Sequence, residues 1–393
     1  MATRSLRKLL IMTIGAAAEG VSSAVLVLDG DRERATLAAR AFTGSERLVL
    51  TGGDAVVGVL VGRRLVLSSL VTEAQIAGRF TFDGLDAVSE VHRVAPACRI
   101  AVTGDRMPDD VAAEAVRRGA SDILLRPFGA GELRTMFGLG DESGDSGPIV
   151  HIPTVDEFVV SDALLPAFQP IVDLADTARR GAGFESLARY REGNLLFCDP
   201  VFMFEYARLC GRTAELDLAC LRRTMLAARK LPSRGKIFIN VHPRVVEDGD
   251  RLARTLTDEA CANDIPLDRL VLEITEQEKL EPTETTFSAF EELRAAGVEF
   301  ALDDVGVSYS HLDLISRIRP AYLKISHEFG TDFEKDPARR KIIRNIQSLA
   351  CDFECEVILE GVESEATSRA AADIGARYAQ GFFYARPADA GTL

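Results

Sequence analysis

The stretch FALDDVGVSYSHL, Phe300–Leu312, closes an apolar run with two adjacent aspartates, Asp303 and Asp304, and then passes into small and polar residues. Neighbouring anions at the end of a buried strand repel each other and lose hydration, so they persist where a cation or a proton compensates them. Taken alone, the pair reads more simply as a cap beside a solvated carboxylate. The surrounding sequence has to decide between a cap and a metal site.

Outward from this stretch, eight short apolar segments follow one another: AFQPIVDL (167–174), GAGFESLARY (181–190), KIFINVHP (236–243), RLVLEITE (269–276), EFALDDVG (299–306), AYLKIS (321–326), EVILEGVE (356–363) and YAQGFFY (378–384). Helical patterns separate most of them. Eight strands with intervening helices in a segment of this size fit a (β/α)8 barrel, which typically needs about 250 residues. Near the C-terminal ends of the runs stand Glu185, Asn240, Glu273, Asp303 with Asp304, Lys324, Glu360 and Gln380. Side chains at those ends converge on one face of a barrel. A lone strand Glu is usually solvated and a lone Lys usually snorkels. Polar groups from seven consecutive strands aimed at one mouth point instead to a site.

Five carboxylates in one cavity require compensation, and their oxygens together with the Asn240 amide suit hard divalent cations, Mg²⁺ or Mn²⁺. No histidine or cysteine joins the set, which disfavours zinc. Asp303 and Asp304 can serve two ions, the arrangement that steadies attacking and leaving oxygens in phosphoryl transfer.

The chain has 393 residues, 47% hydrophobic, and a formal net charge of −14. That length predicts two domains, and the acidic balance disfavours sequence-independent nucleic-acid binding. Seven scattered cysteines without a CxxC pair fit a reduced, cytoplasmic protein. Residues 1–19 place Arg4, Arg7 and Lys8 before the apolar run Leu9–Ala18, which is too short to span a bilayer; an amphipathic segment is expected, with membrane association as the minor alternative. The Gly/Ser/Asp-rich run at 138–148 predicts a linker over residues 138–159.

Within residues 20–137, the runs AVLVLDGD, RLVLSSL, RIAVTGD and DILLRPF alternate with helical patterns and predict a parallel, flavodoxin-like sheet. With acids Asp29 and Asp31 after the first strand, Thr103 after a later one, and Arg126–Pro127 after the last, this half resembles a response-regulator receiver domain. It departs from that family where the third strand should end in a phosphoacceptor aspartate. That place reads as Ser68 or Ser69, so no phosphoacceptor is expected. A degenerate receiver implies a protein partner rather than phosphotransfer.

Residues 160–393 resemble the EAL-domain family of cyclic di-GMP phosphodiesterases through FQPIVDL, ESLAR, FINVHP, LEITE, LDDVG, YLKIS, LEGVE and QGFFYARP, in family order. The resemblance implies a homodimerising barrel that hydrolyses cyclic di-GMP to pGpG with two metal ions. Carried over by position, Glu185, Asn240, Glu273, Asp303, Asp304 and Glu360 match metal-site residues. Lys324 matches the group beside the attacking water, Gln380 a supporting polar group, Glu276 the group that holds the loop after strand five, and Gln169 and Arg189 substrate contacts. An amine near two cations should have a lowered pKa. Two features depart from the family pattern: the loop DDVGVSYSHL carries Val305, Val307 and Ser308 in place of Phe, Thr and Gly, and KIS and Ala321 stand where acids are usual. A cyclic di-GMP receptor without turnover, and a protein-interaction scaffold, therefore stay open as alternatives to the enzyme.

Overall fold

The computed structural model describes residues 23–43, 47–64, 67–73, 83–139, 149–176, 181–190, 200–246, 248–274, 284–305 and 311–393. These form two compact units, one reaching Ala163 and adding Tyr190–Arg212, the other comprising Leu164–Arg189 and Thr213–Leu393. The N-terminal segment 1–19, residues 140–148 of the expected linker, Glu276 and the loop 306–310 lie outside the described residues.

The first unit is built on a parallel sheet of β1 (Ser23–Leu28), β2 (Arg47–Gly52), β3 (Leu67–Glu73), β4 (Arg99–Gly104), β5 (Asp122–Leu125) and β6 (Ile149–Ile152). Their order is β5-β4-β3-β1-β2-β6. The first five strands follow the doubly wound, flavodoxin-like order expected from the alternating runs. Val25, Leu26, Val49, Leu50, Ile100 and Val102 are fully or almost fully buried, consistent with strands covered on both faces. Helices α1 (Arg32–Ala39), α2 (Ala55–Arg64), α3 (Gly84–Val94), α4 (Asp109–Arg117), α5 (Ala130–Met136), α6 (Val155–Val160) and α7 (Pro200–Leu209) complete the unit. Asp31 caps α1 by accepting from Glu33 N and Arg34 N, and Asp83 closes a capping box with Asp86 on α3.

Two sequence expectations change here. Residues 149–159 fall within the expected linker yet form β6, paired in register with β2 from Val49–Ile149 to Gly52–Ile152, and most of α6. The apolar IVHI supplies a strand that the polar residues before it obscured. The third strand also does not end at Ser68 or Ser69. Ser68 donates its hydroxyl to Ala24 O at 3.1 Å, Ser69 pairs with Val25 and Arg99, and the strand runs on to Glu73. Glu73 therefore holds the C-terminal end of β3, beside the switch point between β1 and β3 where doubly wound sheets place their sites. Arg126 joins this end to its neighbours, donating to Asp29 at 2.7 Å, Glu73 at 2.8 Å and Asp105 at 3.2 Å, while Arg34 adds a 2.9 Å contact to Asp29.

The second unit is a closed barrel ordered β10-β11-β12-β13-β14-β7-β8-β9. Its strands are β7 (Leu164–Asp173), β8 (Gly181–Tyr190), β9 (Lys236–Val241), β10 (Leu270–Ile274), β11 (Glu299–Val305), β12 (Tyr322–Ile325), β13 (Glu356–Leu359) and β14 (Tyr378–Ala379). Around it lie α8 (Thr213–Ala228), α9 (Gly249–Ala262), α10 (Glu284–Ala295), α11 (His311–Ile318), α12 (Pro337–Asp352) and α13 (Glu365–Asp373). One strand departs from a strict (β/α)8 pattern, because β7 runs antiparallel to β14. Only residues 174–180 join β7 to β8, too few for the helical crossover that a parallel pair requires.

Inward-facing residues alternate along the strands and stack in layers. Ile171, Phe238, Val271, Ala301 and Ile358 form a buried layer with Tyr322 and Tyr378 packed against it. Two residues further toward the mouth on these strands come Gln169, Asn240, Glu273, Asp303, Glu360, Lys324 and Gln380. The apolar layer thus floors the polar one.

Candidate active site

The DD pair is made possible by a local irregularity in β11. Regular alternation would turn Asp303 and Asp304 to opposite faces. The β11–β12 register instead shifts between Leu302 and Val305, and Asp304 adopts φ of 56°, in the left-handed region. This bulge re-aims Asp304, and its N–H donates to Asp303 Oδ1 at 3.0 Å. Carboxylate oxygens of Asp303, Asp304 and Glu360 consequently lie within 4.8 Å of one another. A non-glycine residue in this conformation costs on the order of 1–3 kcal/mol, a strain typical of functional sites.

Lys324 is fully buried at the centre of four carboxylates, two of them shared with that cluster. Its Nζ stands 2.9 Å from Glu273 and Glu360, 3.3 Å from Glu185 and 3.4 Å from Asp303. Burial opposes its charge, but Asp303, Glu185, Glu273 and Glu360 together hold the amine well above the ordinary lysine value. The lowering expected from sequence would require cations that outweigh four carboxylates. Burial and the neighbouring Glu185 and Asp303 raise Glu273 well above the usual range, against the pull of Lys324. Burial likewise pushes Glu360 up to about 8 and raises Asp303. Glu185 goes the other way: burial is outweighed by Lys324 and by hydrogen bonds from Gln380 and Asn240.

Glu185 anchors a polar chain. Asn240 Nδ2 donates to its Oε1 at 3.2 Å and Gln380 Nε2 to its Oε2 at 2.6 Å. Gln380 also donates to Gln169 Oε1 at 3.1 Å, and Gln169 to Ala385 O at 3.0 Å. The structure thus brings Gln169, Glu185, Asn240, Glu273, Asp303, Asp304, Lys324, Glu360 and Gln380 together. Arg189 lies four residues beyond Glu185 on the same face of β8, where its guanidinium donates to Ala188 O at 2.7 Å. Ser326 is buried and accepts from Glu328 N at 3.4 Å, capping a short helical turn, His327–Gly330.

The donor set fits hard divalent cations. All its donor atoms are oxygens, and while Glu273 Oε1 faces Lys324 Nζ, its buried Oε2 has no hydrogen-bond partner among the described residues. Two supporting residues escaped sequence inspection. Asp217 on α8 accepts from His242 N at 2.9 Å, just past Asn240, and Ser186 shares a 2.6 Å hydrogen bond with Thr224 of α8 beside Glu185. Only the polar interruptions on the buried face of that helix, Asp217 and Thr224, hinted at them.

The family model for the EAL domain matches residues 154–387. The chain belongs to the EAL-domain family. It is 32% identical over 148 residues to the cyclic di-GMP phosphodiesterase TpdA of Vibrio parahaemolyticus, covering 38% of this chain and 25% of that one. It is 31% identical over 198 residues to the blue light- and temperature-regulated antirepressor BluF of Escherichia coli, covering 50% and 47%. Both relatives are therefore matched over less than half their length. Among solved structures, the manganese and cyclic di-GMP complex of Klebsiella pneumoniae BlrP1 superposes with a TM-score of 0.53 at 27% identity, covering 59% of this chain and 57% of that one. No described helix is long and apolar enough to cross a membrane.

Proposed function

We propose that this EAL barrel hydrolyses one phosphodiester of cyclic di-GMP to linear pGpG with two divalent cations, Mg²⁺ or Mn²⁺. The observation that carries this is the bulge in β11, which spends backbone strain to bring Asp303 and Asp304 into reach of Glu360. Glu185, Asn240, Glu273, Asp303, Asp304 and Glu360 would hold the cations, which polarise phosphoryl oxygens and make a bound water acidic. Lys324, charged and immobilised among carboxylates, orients the attacking water and steadies negative charge developing on the phosphoryl oxygens. Gln380 fixes the Glu185 carboxylate, while Gln169 and the Arg189 fork face the phosphodiester. In this reading Glu276 holds the loop after β11, the barrel pairs as a homodimer, and the first unit is a degenerate receiver that docks a protein partner.

A second reading, a cyclic di-GMP receptor without turnover, is favoured by Ser326, whose hydroxyl caps a turn where the family motif carries an acid. One assay separates the two. Purified protein is incubated with Mn²⁺ or Mg²⁺ and cyclic di-GMP, pGpG is followed by chromatography, and binding is titrated in parallel. Turnover that Glu185→Gln abolishes supports the enzyme, and binding without turnover assigns the receptor. A Glu185→Gln variant with the parent rate at saturating Mn²⁺ overturns the metal assignment.

A further inference from the structure

We infer that α8 is a polar brace that sets the positions of Glu185 and Asn240, with Asp217 as its positioning residue; this rests on the metal-site reading above. A helix face that only had to pack would carry apolar residues throughout, as the buried face of α8 does at Leu216, Leu218, Leu221 and Met225. It nevertheless buries Asp217 and Thr224, at a desolvation cost that needs a compensating role. The two lie seven residues apart, two helical turns, and so share one face. Each reaches a different strand: Thr224 meets Ser186 on β8 at 2.6 Å, and Asp217 takes the backbone N–H of His242 at the end of β9 at 2.9 Å.

Strand alternation turns these contacts into control of the site. Ser186 faces the helix because its neighbour Glu185 faces the barrel axis, and His242 lies two residues past the inward Asn240. β8 and β9 are hydrogen-bonded neighbours, and Asn240 donates to Glu185 across them at 3.2 Å. The circuit from helix to strand to ligand to ligand to strand is therefore closed by hydrogen bonds. Partners outside the ligand shell commonly change metal affinity 10–100-fold when removed.

The test is Mn²⁺ binding by the full chain, read from the electron paramagnetic resonance of free Mn²⁺, with circular dichroism confirming the fold. Asp217→Ala, which removes the acceptor, is expected to weaken the tighter Mn²⁺ site about tenfold. Asp217→Asn keeps an oxygen acceptor at the same place and is expected to stay within about twofold of the parent, a rescue that a charge effect would not give. Thr224→Val keeps the side-chain volume and should shift affinity in the same direction as Asp217→Ala. If Asp217→Ala fails to fold, Thr224→Val decides. Folded Asp217→Ala or Thr224→Val with parent affinity overturns the brace, as does Asp217→Asn losing as much as Asp217→Ala. Parent affinity in Glu185→Gln would instead overturn the metal-site reading itself.

Discussion

Replacing Lys324 by methionine removes the ammonium that four carboxylates surround while keeping most of the side-chain volume. The four contacts of 2.9–3.4 Å are each worth several kcal/mol before desolvation is counted, so their gross sum says little about the net effect. Breaking a buried pair by deleting one partner costs about 3–5 kcal/mol, because the survivors become uncompensated buried charges. The carboxylates limit the loss by taking up protons, and Glu273 and Glu360 already favour the protonated form. The cost should therefore be largest near pH 8 and shrink toward pH 6.

For a barrel of this size 1 kcal/mol corresponds to roughly 2–4 °C, which makes the expected drop in the barrel transition about 10 °C at pH 8 in the presence of chelator. Calorimetry suits the measurement, since the chain has no tryptophan and its two units need not melt together. Mn²⁺ should recover more stability in Lys324→Met than in the parent, because a cation entering the variant competes with no ammonium. A variant within about 1 kcal/mol of the parent in chelator would refute the compensating role of Lys324. Equal stabilisation of both proteins by Mn²⁺ would refute the idea that cation and ammonium share one field.

Burial pushes Asp217 up to about 7, so the native state binds an extra proton between roughly pH 4 and 7 and loses stability as pH rises through that window. Asp217→Asn should flatten this dependence, gaining up to about 4 kcal/mol at pH 8 relative to pH 4, and an unchanged calorimetric profile would count against it. Asp304→Gly should raise the barrel transition slightly, by relief of about 1 kcal/mol of left-handed strain, while weakening Mn²⁺ binding; changes of the same sign in both would contradict the bulge argument. Acyl phosphate donors should leave the first unit unmodified, because Arg126 and Arg34 already occupy the acidic end of β1 and β3, and a base-labile phosphoryl adduct on residues 23–139 by mass spectrometry would defeat this. Arg126→Ala should destabilise that unit by up to about 3–5 kcal/mol, since it takes from Glu73 its nearest cation and leaves the buried Asp29 with Arg34 alone.

What the sequence discloses and what it hides divide along a physical line. The barrel mouth is legible because strand position and side-chain direction repeat with period two, so Glu185, Asn240, Glu273, Lys324 and Glu360 each announce a face from their place in an apolar run. The same periodicity makes Asp303 and Asp304 contradictory, since neighbours cannot share a face of a regular strand. The contradiction is resolved by a register shift between β11 and β12, a property of two strands that neither run displays by itself. At the end of β3 the error had a related source. Serines that interrupt an apolar run read as a strand end, yet Ser68 and Ser69 find backbone and sheet partners and let the strand run four residues on to Glu73. Asp217 was hidden for the opposite reason, because a helix gives one acid among leucines no visible target until the strand end it serves is in place. Polar residues whose direction follows from the period of their own strand declare themselves in sequence; those whose role depends on where a neighbouring element ends or shifts acquire meaning only from the packing.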